Sequence, residues 1–341
     1  GGGAGGRGAE GLEAVEGFEE AKKKAKREAE EKEKKQSEEN KNKGPLLLLL
    51  IRHGTASHNA YLERLRAEAE AEGRPREEAD RKWDAWLSTE DAVGRGFPLD
   101  SQDTPLTRRG REEARALGRA LRAGREFRDG EGRPRGTVED LDLVIVSPLR
   151  RALETCTLVF GAQPWANRTT GLPVPIVALD AVKEFPQGRH LANRLGEGRS
   201  ALARRFAGHN IDFSRIDEEQ DKMWAGAFDR SQGRGETPEE LRARVEAFLE
   251  LVRRLPNSPT RVAVVSHSSF LRGVLMAGEM GKKEKETKKK EKGFAKDDDV
   301  GGSLPHCEPI VFTVPAGRTS QGGNVREAAG GGHDKHPARK A

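Results

Sequence analysis

Three apolar runs in this chain stop abruptly on side chains that can bind or attack an anion. Residues 46–54 read LLLLLIRHG, so a run suited to a buried strand ends on Arg52, His53 and Gly54. Residues 141–151, LDLVIVSPLRR, stop at Ser147-Pro148 and deliver Arg150 and Arg151, and residues 261–267, RVAVVSH, stop at Ser266-His267. Open parallel sheets bind ligands at the carboxyl ends of their strands. As neighbouring strands of one sheet, the three runs would bring Arg52, His53, Arg151 and His267 together there. Such a group is an anion pocket, and the anion that best uses the fixed donor fork of Arg is a phosphoryl group. Gly54 is expected to let the backbone turn sharply, so that His53 points into the cleft.

The elements needed to hold these residues follow from periodicity. Strands are expected near 46–51, 142–146, 174–178, 261–266 and 309–314. Segments with helical spacing follow Arg151 (ALETCTLVF) and His267 (SSFLRGVLMAG). Another helix opens with Thr107 as its N-cap and repeats apolar positions at Ala114, Leu117 and Leu121. The chain has 341 residues, enough for one large domain or two small ones, and 34% of them are charged, which fits a globular core wearing charged extensions. Aromatic residues make up only 5%, so the core should be aliphatic. No apolar run approaches the length of a membrane span. The two cysteines, Cys156 and Cys307, have neither metal-type nor redox spacing, and Cys156 reads as a small core residue of the helix after Arg151. That usage points to a reducing compartment, and the cytoplasm is the expected location. Residue 1 is Gly and not Met, which leaves a signal or transit peptide open.

These residues together resemble the histidine phosphatase superfamily, also called the phosphoglycerate mutase-like family. Its R-H-G segment is matched by Arg52-His53-Gly54, and its S-P-L-x-R-A pattern by Ser147-Pro148-Leu149-Arg150-Arg151-Ala152, with Arg150 at the variable position. Its D-x-P-L-T-x-x-G segment is matched by residues 103–110, and its second histidine by His267. The resemblance covers roughly residues 45–314 and implies a three-layer α/β/α sandwich with a mostly parallel central sheet and helices on both faces. It also implies roles: His53 as nucleophile, Arg52, Arg151 and His267 as phosphate donors, and Asn59, in R-H-G-x-[SA]-x-x-N, as a neutral donor. Glu184, matching E-x-x-x-G, would be the general acid and then the base for water, with Asp180 as the fallback. Imidazole has an unperturbed pKa of about 6.5 and is a competent nucleophile near neutral pH. Attack by His53 would give a phosphohistidine and split hydrolysis into two easier steps. His58 reads as a structural neighbour. No H-E-x-x-H or cysteine pair accompanies the eight histidines, and arginine beside His53 would repel a divalent cation, so neither metal nor cofactor is expected.

The segments around Gly188-Arg189-His190, Ile211-Asp212-Phe213-Ser214 and Trp224 resemble the plant and fungal phosphoglycerate mutase-like proteins. Ser268 stands where glycine is common after the second histidine, and Ala56 replaces the serine of the mutase-type segment; both changes occur in the plant-like branch. The implied function is hydrolysis of a small phosphorylated metabolite. A mutase-type phosphotransferase is the alternative, followed by a catalytically idle phosphate-binding scaffold. Residues 1–44 read as a low-complexity charged extension, 45–315 as the catalytic domain with insertions at about 61–100 and 281–303, and 316–341 as a polar tail expected to be disordered. Trp83 and Trp86 are expected to pack the first insertion onto the domain. The lysines of the second are interleaved with glutamates and lack aromatic company, so they read as a solvated loop rather than a nucleic-acid site. Substrate identity and oligomeric state stay open.

Overall fold

The computed structural model describes residues 44–88, 103–124, 126–128, 134–161, 165–184, 196–216, 236–255, 259–283 and 304–314. The expected extension (apart from Gly44), residues 284–303 of the second insertion, the tail, residues 89–100 of the first insertion, the Phe185–Arg194 stretch and Trp224 lie outside these residues.

The described chain runs β1 (Leu46–Arg52), α1 (Ser57–Ala71), α2 (Arg76–Ser88), α3 (Arg108–Arg122), β2 (Phe127–Arg128), β3 (Pro134–Gly136), β4 (Leu143–Val146), α4 (Arg150–Phe160), β5 (Ile176–Ala178), α5 (Arg199–Arg205), β6 (Ile211–Asp212), α6 (Pro238–Arg254), β7 (Arg261–Ser266), α7 (Ser268–Lys283) and β8 (Pro309–Val314). Six strands form one sheet in the order β6-β5-β4-β7-β1-β8. All neighbours are parallel except β8, which runs antiparallel to β1 at the edge. β2 and β3 form a separate antiparallel pair.

Strand periodicity sorts the core into two sides. Leu49 and Ile51 of β1, Val144 and Val146 of β4, and Ala263 and Val265 of β7 pack with Ala114, Leu117 and Leu121 of α3 and with α4. The alternate residues, Leu48 and Leu50, Leu143 and Ile145, Val262 and Val264, pack with Val245, Phe248 and Val252 of α6 and with Phe270 and Val274 of α7. A helical layer therefore covers each face, which is the expected three-layer sandwich. The near-continuous apolar runs of β1, β4 and β7 follow from this, because a central strand buries both faces.

All five expected strands are present. Thr107 caps α3, its hydroxyl accepting from the Gly110 amide at 3.0 Å. One boundary needs correcting. The helical segment expected from residue 61 starts earlier, at Ser57. Gly54 does not adopt a positive φ. Its lack of a side chain serves a close approach instead: a Cβ there would lie 2.5 Å from the Gly110 carbonyl oxygen, and a Cβ on Gly110 would lie 2.2 Å from that of Thr55. Among the described residues no helix is long and apolar enough to cross a membrane.

Candidate active site

β1, β4 and β7 are adjacent and parallel, so their carboxyl ends lie side by side. Arg52 ends β1 and His53 follows it; Arg151 lies in the first turn of α4 after β4; His267 stands between β7 and α7. Arg151 and His267 are fully buried, and Arg52 and His53 nearly so. The His53 and His267 ring centroids are 5.1 Å apart. Burial, then the charge of Arg151, then further neighbours including Arg52, hold both imidazoles well below their usual pKa.

Each ring is fixed by a neighbour. Nδ1 of His53 lies 2.7 Å from the Gly54 carbonyl oxygen. A carbonyl only accepts, so Nδ1 carries the proton and Nε2 keeps its lone pair. Nε2 of His267 lies 2.8 Å from the Ser147 hydroxyl, and its Nδ1 has no hydrogen-bond partner among the described residues. The Gly54 amide donates to Thr155 Oγ1 at 3.0 Å, and that hydroxyl donates to the Arg151 carbonyl at 2.7 Å. Thr155 thus ties the loop carrying His53 to the helix carrying Arg151. On the other side, Glu113 of α3 accepts from the Thr55 amide at 2.8 Å.

The guanidiniums are perturbed in the same way. Burial brings Arg52 down to about 10, with the charge of Glu184 opposing and that of Arg151 reinforcing. Burial also lowers Arg151, against the charges of Asp103 and Glu184. Glu184, half-buried two residues after Val182, therefore acts electrostatically on both arginines. Asp180 turns its carboxylate to the buried ammonium of Lys183 in an ion pair. Asn59 accepts from the Ala56 amide at 3.2 Å through its side-chain oxygen, so the group it can offer an anion is the Nδ2 donor.

Several neighbours carry more than their sequence context suggested. His58 is buried, with Nδ1 at 2.7 Å from Thr104 Oγ1 and its ring 6.1 Å from that of His53. The Trp83 indole donates to the His58 carbonyl at 3.2 Å, which joins α2 to the site's margin; the Trp86 side chain lies outside the described residues. Asp103, read from sequence only as part of the helix-opening segment, accepts from the Arg150 amide at 2.8 and 2.9 Å and lies 3.9 Å from Arg151 Nη1. Burial raises its pKa to about 7 despite Arg151. His306 has no counterpart in the sequence reading. It donates from Nδ1 to the His53 carbonyl at 2.6 Å, and its ring lies 5.4 Å from that of His53. Burial, and then Arg52, lower its pKa to about 4. Around it, Arg52 Nη1 donates to the Leu304 carbonyl at 2.5 Å and the Cys307 amide to the Arg52 carbonyl at 3.1 Å.

A buried pocket with two guanidiniums and several neutral imidazoles can bind a phosphoryl oxyanion and present an imidazole lone pair to it. Among the described residues no group of three or more His, Cys, Asp or Glu could hold a metal.

Among solved structures, the chain is similar to the ecdysone phosphate phosphatase of Bombix mori in complex with tungstate, at 16% identity and TM-score 0.41, over 85% of this chain and 98% of that one. It is also similar to the alpha-ribazole phosphatase of Shigella flexneri, at 20% identity and TM-score 0.34, over 68% and 78%. Two Arabidopsis thaliana proteins match in sequence. "Phosphoglycerate mutase-like protein 1" is 29% identical over 155 residues, covering 40% of this chain and 51% of that protein. "Phosphoglycerate mutase-like protein" is 27% identical over 154 residues, covering 40% and 52%. The chain thus spans about half the length of the curated relatives it matches. The sequence model of the histidine phosphatase superfamily (branch 1) matches residues 200–289, the part that contains β7 and His267. The Arg-His-Gly end of β1 lies beside that matched segment in one sheet, and the chain is similar to the histidine phosphatase superfamily over residues 200–289 and to phosphoglycerate mutase-like proteins over 40% of its length.

Proposed function

We propose that this protein is a phosphomonoester hydrolase that works through a phosphohistidine on His53 and acts on a small phosphorylated metabolite, with residues 45–315 as its catalytic domain. One observation carries the reading. Nδ1 of His53 is committed to the Gly54 carbonyl, so Nε2 is the free nucleophilic nitrogen, and burial beside Arg151, His267 and Arg52 keeps the ring unprotonated.

In the first step the Nε2 lone pair forms a bond to phosphorus and the bond to the ester oxygen breaks in line. Glu184 donates a proton to the departing alkoxide. Arg52, Arg151 and His267 hold the phosphoryl oxygens throughout, with Asn59 contributing through Nδ2. In the second step a water oxygen attacks phosphorus, Glu184 takes its proton, and the phosphorus–nitrogen bond breaks to return neutral His53 and inorganic phosphate.

The relatives' printed names supply the alternative, a phosphotransferase that returns the phosphoryl group to a bound product instead of to water. The test is single-turnover reaction of the purified protein with p-nitrophenyl phosphate and with a panel of phosphorylated metabolites. An acid-labile, base-stable phosphoryl group on His53 and stoichiometric phosphate release are expected, and His53→Ala should abolish both while the protein stays folded. Isomerised ester without phosphate release would mean a mutase. No turnover of any ester would mean a scaffold.

A further inference from the structure

The three residues ahead of Glu184 are held in an unusual way. The carbonyls of Ala181, Val182 and Lys183 each accept a hydrogen bond from a side chain distant in sequence. Arg244 of α6 donates from Nη1 to Ala181 at 2.8 Å and to Lys183 at 2.9 Å. The fully buried hydroxyl of Ser266, the residue before His267, donates to Val182 at 2.6 Å.

Arg244 is itself fixed on its other edge. Nε and Nη2 donate to the two carboxylate oxygens of Glu236 at 2.7 and 2.6 Å, and the guanidinium lies 5.1 Å over the ring of buried Phe270. Both side chains of the pair are about nine-tenths buried, at 11% and 9% exposure. Only a planar, forked cation can form this bidentate pair and still direct another donor at two carbonyls; an ammonium cannot. A turn without such anchors would sample several backbone conformations, whereas a proton donor must sit within hydrogen-bond reach of the leaving oxygen.

We infer that Arg244, oriented by Glu236, is the positioning residue for Glu184: it clamps the turn after β5 so that the carboxyl is aimed at the leaving-group oxygen. The inference rests on the reading of Glu184 as general acid. Its effect should fall on proton transfer and not on phosphate binding.

The readout is the ratio of kcat on β-glycerophosphate, an alkyl ester that needs a proton on its leaving group, to kcat on p-nitrophenyl phosphate, which does not. Arg244→Ala should lower that ratio about tenfold or more, within the span of general acid catalysis, with KM for either ester little changed. Arg244→Lys should restore little, and millimolar guanidinium should restore part of the alkyl-ester rate to Arg244→Ala. In a Glu184→Gln background, Arg244→Ala should lower the ratio no further. If Arg244→Ala fails to fold, Glu236→Gln and Arg244→Lys are read by the same ratio. An unchanged ratio in folded Arg244 variants, with Glu184→Gln still selective, overturns the inference and leaves the reading of Glu184 standing. A Glu184→Gln variant that shows no selectivity overturns both.

Discussion

Burial, with the charges of Arg151 and Arg52 adding to it, keeps His53, His58 and His267 neutral in the folded protein at a pH where an unfolded imidazole is protonated. Below about pH 6.5 the unfolded state then binds more protons, so stability falls with acidification by up to about 1.4 kcal/mol per pH unit for each ring. Asp103 acts in the opposite sense: raised to about 7, it is protonated when folded and ionised when unfolded. It offsets about one imidazole between about pH 4 and 6.5, while His306, lowered to about 4, adds one, which leaves a net slope of up to about 4 kcal/mol per pH unit. Urea unfolding at pH 7 and at pH 5.5 should show this loss, and orthovanadate, an oxyanion that favours protonated imidazoles, should reduce it. Equal stability at the two pH values would contradict the neutral assignment. The proposed role of Glu184 has its own expectation: Glu184→Gln should slow β-glycerophosphate about 10²–10⁴-fold but p-nitrophenyl phosphate far less. An equal loss on both would make Glu184 a phosphate- or fold-positioning group. Arg52, His53, Arg151 and His267 were legible in the sequence because each interrupts or follows an apolar run, where such side chains stand out. His306 was not: it is one imidazole in a short Pro-His-Cys stretch, and it reaches His53 only because β8 pairs with β1.

Elements were legible where they bury both faces or one clear stripe. The runs of β1, β4 and β7 and the spacing of Ala114, Leu117 and Leu121 met that condition. The β6 strand is two residues long, and the β2–β3 pair is built of residues such as Arg128, Pro134 and Gly136, so neither shows an apolar alternation. The start of α1 was missed for a different reason: Ala56 has no capping side chain, and Asn59, inside the helix, supplies the acceptor instead. The crossing of the loop after β1 with the first turn of α3 yields a prediction. In an ordinary helix Gly→Ala gains up to about 1 kcal/mol. Here the added Cβ of Gly110→Ala would meet the Thr55 carbonyl oxygen, so a loss of about 1–3 kcal/mol is expected from overpacking. Thr55 is bonded to Glu113 and follows the His53-Gly54 pair, so kcat should fall with stability. Chemical denaturation and turnover, measured on the one variant, check both; a stabilised or fully active Gly110→Ala protein would refute the contact.

At the scale of the whole molecule, the strand that leads into His53 is first among the described strands in the chain, while its two partners are the last. Leu47 pairs with Arg261, and Leu46 with Val314. During synthesis the LLLLLI segment therefore leaves the ribosome long before anything exists that can cover it. Contacts between such distant residues form slowly, and an apolar strand with open edges is a site for association with other chains. The charges that bracket it, Lys41 and Lys43 ahead and Arg52 behind, are the kind of gatekeepers that discourage this. Arg52 thus serves two stages in the life of the chain, first as a guard on a nascent strand waiting for partners and later as part of the finished anion pocket.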